Sequence, residues 1–290
     1  MNRREFTSLA VTSCLTGNLL AGSRPEPWFK ISLAQWSLNR AIFGKKIDPL
    51  DFPRVAKEDY GINAVEYVNQ FYVAQKNKDA YVYELKKRSS DLGVTNVLIM
   101  IDGEGALGDP DSAAQSKAVA NHHRWVDWAK MLGCHAIRVN AETKGKGTFE
   151  EQMKRAADGL AKLCEYGDKQ GINIIVENHG GLSSNGKWLS GVMKLVNNPR
   201  CGTLPDFGNF YDYDHYQGVE ELMPFAKGVS AKSYHFDEAG NETKLDYERL
   251  LKIVKAAGYR RYIGVEYEGE KMSEPDGIRA TKKLLEKLNA

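Results

Sequence analysis

From Lys30 onward, short apolar runs alternate with longer stretches whose apolar residues recur every three to four positions. The first pattern suits strands buried on both faces, and the second suits amphipathic helices lying against a sheet. The strands so predicted are Ile31–Trp36, Ala64–Val68, Asn96–Ile101, Ala136–Asn140, Asn173–Glu177, Thr203–Asp206, Gly228–Lys232 and Tyr262–Glu266. The clearest helices between them are Tyr81–Leu92, Ser112–Leu132, Phe149–Gln170, Leu245–Ala257 and Glu274–Leu288. Glycines follow Leu92, Leu132, Gln170 and Ala257, where a helix needs a left-handed stop. Eight strands alternating with helices predict an α/β chain folded as one (β/α)8 TIM barrel over residues 24–290. A doubly wound open sheet would want a phosphate-binding glycine turn after its first strand, and Leu33-Ala34-Gln35-Trp36-Ser37 has none.

Four of the later strands end in polar groups: Glu177, Asp206, Lys232 and Glu266. In a barrel the carboxyl ends of the strands surround one site, so these residues should converge. Trp36, Glu66, Arg138 and Asn140 end earlier strands and suit sugar contacts, an aromatic face beside polar donors. An ion pair between Glu66 and Arg138 is the structural alternative. Lys232 could equally neutralise Asp206 or Glu177. His179 shares the inward face with Glu177. By period-2 alternation Ser230, Lys232 and Tyr234 share a face, which sends His235 to the other face or to the loop. His122 and His123 lie on a helix with Trp125 and Trp128, where packing or solvent is expected.

Composition narrows the partners. The 290 residues carry a net charge of +2, with Lys and Arg interleaved among Asp and Glu, so there is no basic stripe for nucleic acid. Gly103-Glu104-Gly105-Ala106-Leu107-Gly108 spells G-x-G-x-x-G, but Asp109-Pro110-Asp111-Ser112 delays the helix and Asp102 and Glu104 would repel phosphate. A mobile loop over the barrel mouth is expected there. Arg3-Arg4 precedes a Ser/Thr-rich apolar stretch that ends at Ala21-Gly22-Ser23, the pattern of a twin-arginine export signal over residues 1–23. The stretch is too short and polar to span a bilayer. Export to the periplasm is therefore expected, with lipid anchoring through Cys14 the weaker alternative. Cys134, Cys164 and Cys201 remain after the signal, with no metal-ligand spacing and no expected disulfide framework.

These strand-end residues resemble those of the xylose-isomerase-like barrel family of sugar isomerases and epimerases, from Lys30 to Leu288. The resemblance rests on Val176-Glu177-Asn178-His179, Asp206-Phe207-Gly208-Asn209, Ser230-Ala231-Lys232-Ser233 and Gly264-Val265-Glu266-Tyr267. It implies one divalent metal, Mn or Mg favoured over Co or Zn, held by Glu177, Asp206 and Glu266. Ser230 stands where the family carries a ligand His, so water would complete the set, or His235 or His179 would be recruited. Glu177 and Glu266 become the acid/base pair of a sugar or keto-sugar isomerase or epimerase, with Lys232 assisting. Trp36, Glu66, Arg138, Asn140, His179 and Asn209 would bind a small-molecule sugar, and a homo-oligomer is left open. The alternatives are a lyase or hydrolase of oxidised keto-glycosides at the same site, and a sugar-binding barrel without catalysis. A nucleic-acid endonuclease of this family would need a His-rich zinc cluster that six histidines, mostly away from strand ends, do not supply.

Overall fold

Eight parallel strands form the centre of the protein. They are β1 (Lys30–Ala34), β2 (Ala64–Val68), β3 (Thr95–Met100), β4 (Ala136–Val139), β5 (Asn173–Glu177), β6 (Cys201–Leu204), β7 (Val229–Ser233) and β8 (Tyr262–Tyr267). The helices are α1 (Asn39–Phe43), α2 (Phe52–Tyr60), α3 (Lys78–Asp91), α4 (Ser112–Leu132), α5 (Phe149–Gln170), α6 (Gly186–Val196), α7 (His215–Leu222), α8 (Tyr247–Ala256) and α9 (Glu274–Leu288). The structure, a computed structural model, describes residues 26–74 and 78–289. The export and lipidation signals expected before Ser23 therefore lie outside the described residues.

Continuous hydrogen-bonded ladders run β6-β5-β4-β3-β2-β1-β8-β7. The ring closes between β6 and β7 through two parallel bridges, Thr203 with Ala226 and Asp206 with Ser230. Phe207 N donates to Ser230 O at 3.1 Å and Ser230 N to Pro205 O at 3.0 Å. Pro205 has no N–H, so the β6 ladder stops before it. Asp206 is thereby placed just past the strand end, at the seam. β1 is also shorter than its apolar run suggests. Gln35–Leu38 coils into a 3-10 turn, and the Gln35 amide reaches across to accept from Val68 N at 3.0 Å.

Helix ends follow local chemistry. α5 opens with a capping box in which Thr148 and Glu151 satisfy each other's backbone N–H, an arrangement worth roughly 1 kcal/mol. It ends at Gly171 with φ +76°, and α4 ends at Gly133 with φ +81°, conformations a Cβ would penalise. Strand residues of both barrel faces are buried, as Val65, Leu98, Ile137, Ile175 and Val265 illustrate. Trp125 and Trp188 fill the layer between strands and helices.

The loop after β3 is anchored, not mobile as its glycines suggest. Glu104 Oε1 accepts from Trp125 Nε1 at 2.7 Å and pairs with Arg124, and its carbonyl accepts from Asn121 at 3.0 Å. Leu107 is fully buried, and its carbonyl lies where a Cβ on Gly159 would be, at 1.9 Å. The glycines serve close packing on α4 and α5, and no phosphate cradle forms.

Candidate active site

Glu177, Asp206 and Glu266 converge where the carboxyl ends of β5, β6 and β8 meet. One oxygen from each lies within 4.8 Å of the others, and all three side chains are buried. Bringing three carboxylates so close out of water demands compensation. The chain supplies it from two buried cations, Arg138 on β4 and Lys232 on β7.

Arg138 Nε sits 2.7 Å from Glu177 Oε2, and its Nη1 donates to Asp102 Oδ1 at 2.8 Å. Asn140 Nδ2 donates to the same Asp102 oxygen at 2.7 Å. Burial works against Asp102 ionising, but Arg138 and these hydrogen bonds prevail and hold its carboxyl well below the usual range. Arg138 remains firmly protonated because Glu177 and Asp102 outweigh its own burial. The alternative pairing of Arg138 with Glu66 does not form. Glu66 lies in the barrel interior, accepts from Ser32 Oγ at 2.6 Å, and leaves Oε2 without a hydrogen-bond partner. Burial, with the Glu266 and Glu177 charges nearby, pushes the Glu66 carboxyl up to about 8.

Lys232 Nζ is 3.1 Å from Glu268 Oε1, 3.7 Å from Asp206 Oδ2 and 3.9 Å from Glu266 Oε2. It also donates to Asn209 Oδ1 at 3.3 Å, while Asn209 Nδ2 donates to Glu177 Oε1 at 2.9 Å. Asn209 is thus a bridge between the lysine and the first glutamate. Burial would discharge Lys232, but Asp206, Glu266 and Glu268 raise its pKa well above normal. Burial also drives the Asp206 carboxyl up despite Lys232, and the Glu177 and Glu266 charges add to the rise. Glu266 moves the other way. Its burial is outweighed by Lys232, by the Ser230 hydroxyl donating to Oε2 at 2.6 Å, and by Arg138, which leave its pKa below the ordinary value.

Asp206 carries the clearest mark of a ligand site. Its Oδ1 accepts from Gly208 N and Asn209 N at 2.8 and 2.9 Å, and Asn178 clamps its backbone through both N–H and C=O. Its Oδ2 is buried with no hydrogen-bond partner. An unpartnered carboxylate oxygen among two further carboxylates suits a hard divalent cation with oxygen ligands. The residues present fit such an ion.

His235 does not join this group. It lies past the end of β7, where its backbone N–H donates to Glu242 Oε1 at 2.9 Å, and it is absent from the carboxylate cluster. The alternation of β7 points Ser230 and Lys232 inward and leaves His235 to the loop, which corrects its expected ligand role. His179 stands past the end of β5, its backbone N–H donating to Ser183 Oγ at 3.0 Å, and lines a cleft together with Asn140. Trp36 is half-buried and stacks on Phe71 with ring centroids 6.2 Å apart. His122 is buried with Nδ1 on Ala118 O, and His123 stacks on Tyr166, the packing roles expected.

Sequence reasoning missed Asp102, Asn178, Glu268 and the Ser230 hydroxyl as parts of the site. Glu268 was legible as a second acid one period-2 step beyond Glu266. Asp102 read instead as a phosphate-repelling loop residue.

An eight-stranded parallel barrel with buried carboxylates at its strand ends defines the class: a TIM barrel with an acid-rich site. Residues 54–288 match the xylose isomerase-like TIM barrel family, and the chain belongs to that family. A stretch of 66 residues is 38% identical to the C-glycoside deglycosidase alpha subunit of Arthrobacter globiformis, covering 22% of this chain and 19% of that protein. A provisionally named hydroxypyruvate isomerase of Xenopus laevis is 23% identical over 158 residues, 49% of this chain and 58% of that one. The chain thus spans less than two thirds of either relative. Among solved structures, the 3-keto-D-glucoside 4-epimerase of E. coli superposes with a TM-score of 0.69 at 13% identity, over 90% of this chain and 100% of that one. A xylose isomerase-like barrel from Mycobacterium smegmatis, in complex with magnesium, gives 0.60 at 16% identity over 79% and 84% of the two chains. At these identities the structural likeness establishes the fold.

Proposed function

We propose that the protein is a sugar or keto-sugar isomerase or epimerase that moves a proton between neighbouring carbons, with Glu177 and Glu266 as its acid/base pair. The carrying observation is the meeting of Glu177, Asp206 and Glu266 within 4.8 Å, out of water and beside two charged cations. The names of the superposing epimerase and of the Xenopus relative are consistent with this reading.

Glu266, whose pKa is lowered, is ionised at neutral pH and can take a proton from the carbon beside a sugar carbonyl. The electron pair of that C–H bond moves into the carbonyl, and an enediolate results. Lys232 donates toward the developing oxyanion. Glu177, held by Arg138 and Asn209, takes up a proton from solvent and delivers it to carbon, and Glu266 releases the one it removed to solvent. Return to the opposite face of the same carbon is epimerisation, and return to the neighbouring carbon is isomerisation. Glu177, Asp206 and Glu266 would hold one divalent ion, Mn or Mg favoured by the all-oxygen donor set. When bound, that ion supplies Lewis-acid stabilisation of the carbonyl and hydroxyl oxygens.

The test measures metal content and solvent-deuterium uptake into candidate sugars, for the parent protein and the Glu177→Gln/Glu266→Gln double variant. Near-stoichiometric metal and exchange in the parent, both lost in the variant, is the expected result. A parent that takes up no metal when supplied in excess sinks the metal-assisted form.

A second reading, cleavage of an oxidised glycoside, is favoured by the stretch similar to the deglycosidase subunit. The same carbanion would expel a group on the adjacent carbon, and a keto-glycoside panel separates the two.

A further inference from the structure

We infer that the substrate is larger than one sugar ring, with a built subsite for a second ring running from the catalytic carboxylates across the loops after β4, β5 and β6. This inference rests on the sugar-isomerase reading and specifies its substrate as a glycosylated, two-ring sugar.

A cleft of about 660 Å3 opens among the loops after β4 and β5, walled by Asn140, Glu142, Lys144, Gln152, Ser183 and His179, two residues beyond Glu177. That volume lies well inside the roughly 300–1,000 Å3 typical of small-molecule sites. It is joined to the chemistry directly: Asn140 holds Asp102, which pairs with the Arg138 that also holds Glu177. A ring seated at Glu177 and Glu266 would therefore have the cleft as its neighbour. A second hollow of about 470 Å3 shares Gly180, Gly181 and Leu182 with the first and extends to Tyr211, Asp212 and Tyr213. The two hollows lie on either side of this glycine ridge.

The lining matches hydroxyl-rich ligands. Beside Ala141 and Leu182, its side chains are amides, hydroxyls, one imidazole and the Lys144–Glu142 pair, whose charged atoms lie 2.7 Å apart. Gly145, Gly180 and Gly181 all adopt positive φ, and a Cβ on any of them would meet open space. The backbone there is approachable without side-chain obstruction, although the Gly180 N–H already donates to Ser184 Oγ at 2.9 Å.

Two further residues mark the surface independently. Lys144 and Tyr211 are non-glycine residues held at φ +57° and +46°. Asn197, another such residue, is explained as the cap of α6, but Lys144 and Tyr211 close no helix. Backbone strain of this kind persists where function requires a side chain to be presented. Tyr211 is 67% exposed. An exposed aromatic face beside a polar cleft is the surface on which a sugar ring stacks through its C–H groups.

The strain also provides the test. Tyr211→Gly and Lys144→Gly each remove the side chain and relax the positive φ, so neither should destabilise the fold. Manganese-supplied protein is titrated with fructose and with lactulose and maltulose, disaccharides that carry fructose as their reducing unit, and deuterium entry from solvent is followed for each. The disaccharides are expected to bind about tenfold tighter than fructose, with that advantage lost in the glycine variants while their thermal midpoints hold or rise. If fructose exchanges deuterium but the disaccharides bind no tighter, or the variants keep the advantage, the subsite is overturned and the isomerase reading stands. If none of the sugars binds or exchanges, the isomerase reading fails and this inference falls with it.

Discussion

The Arg138 guanidinium touches Glu177 through Nε at 2.7 Å and Asp102 through Nη1 at 2.8 Å, so one side chain on β4 ties the loop after β3 to the end of β5. Arg138 is only 4% exposed, and removing it would strand the buried Glu177 and the half-buried Asp102.

Arg138→Leu is therefore expected to cost roughly 3–5 kcal/mol, the usual penalty for breaking a buried pair from one side. Urea unfolding of parent and variant measures it. An unchanged midpoint would show that water or relaxation replaces the guanidinium.

Lys232→Met tests the opposite side of the site. Without the ammonium, Asp206, Glu266 and Glu268 face one another with no counter-charge on β7. The variant should lose thermal stability in chelator and regain more of it than the parent does when Mn2+ is added, because the ion becomes the main source of positive charge. Equal metal response in both proteins would separate Lys232 from the carboxylate group.

Glu66 predicts a pH dependence with a definite sign. Its carboxyl titrates near 8 in the fold against 4.5 in the open chain. Its contribution is fully present below pH 4.5 and is lost as pH rises through 8, because the native state holds a proton that the unfolded state releases. The metal-free parent should thus lose stability relative to Glu66→Gln between pH 5 and pH 8, by up to several kcal/mol at about 1.4 kcal/mol per unit. Denaturant midpoints at three pH values suffice. Parallel curves for the two proteins would refute the buried, protonated state.

Gly159→Ala should be among the most damaging single methyl additions. The new Cβ would meet the Leu107 carbonyl at 1.9 Å, a backbone atom that cannot swing aside. A loss of 1–3 kcal/mol or more is expected from overpacking of this kind, together with loosening of the loop after β3. Hydrogen exchange over residues 102–108 reads the second effect.

Much of this architecture was legible in the apolar pattern. Ser112–Leu132, Phe149–Gln170 and Glu274–Leu288 occupy the boundaries their periodicity and caps predict, because caps and glycine stops are local chemistry. β2 and β5 likewise begin and end where their apolar runs do. The first strand misled because Trp36 carries the apolar pattern past Ala34, yet Gln35–Leu38 turn so that Gln35 can serve β2. Within the site, the convergence of Glu177, Asp206 and Glu266 followed from strand ends alone. The Ser230–Glu266 and Lys232–Glu268 contacts did not, since they depend on the stagger of β7 against β8, which no single strand encodes. His235 lies outside the carboxylate cluster for the same reason that Lys232 faces it: alternation along β7 admits one and turns the other away.

Phe29 and Asn289 lie side by side, the asparagine amide accepting from Phe29 N and donating to Phe29 O across 260 positions of sequence. β1 lies beside β8 in the finished ring, so during synthesis its edge stays unpaired until β8 has emerged. The carboxylates of β5 and β6 emerge well before Glu266 arrives to complete the set. The three-acid site thus cannot assemble until β8 has been made, whichever of the earlier strands have already paired.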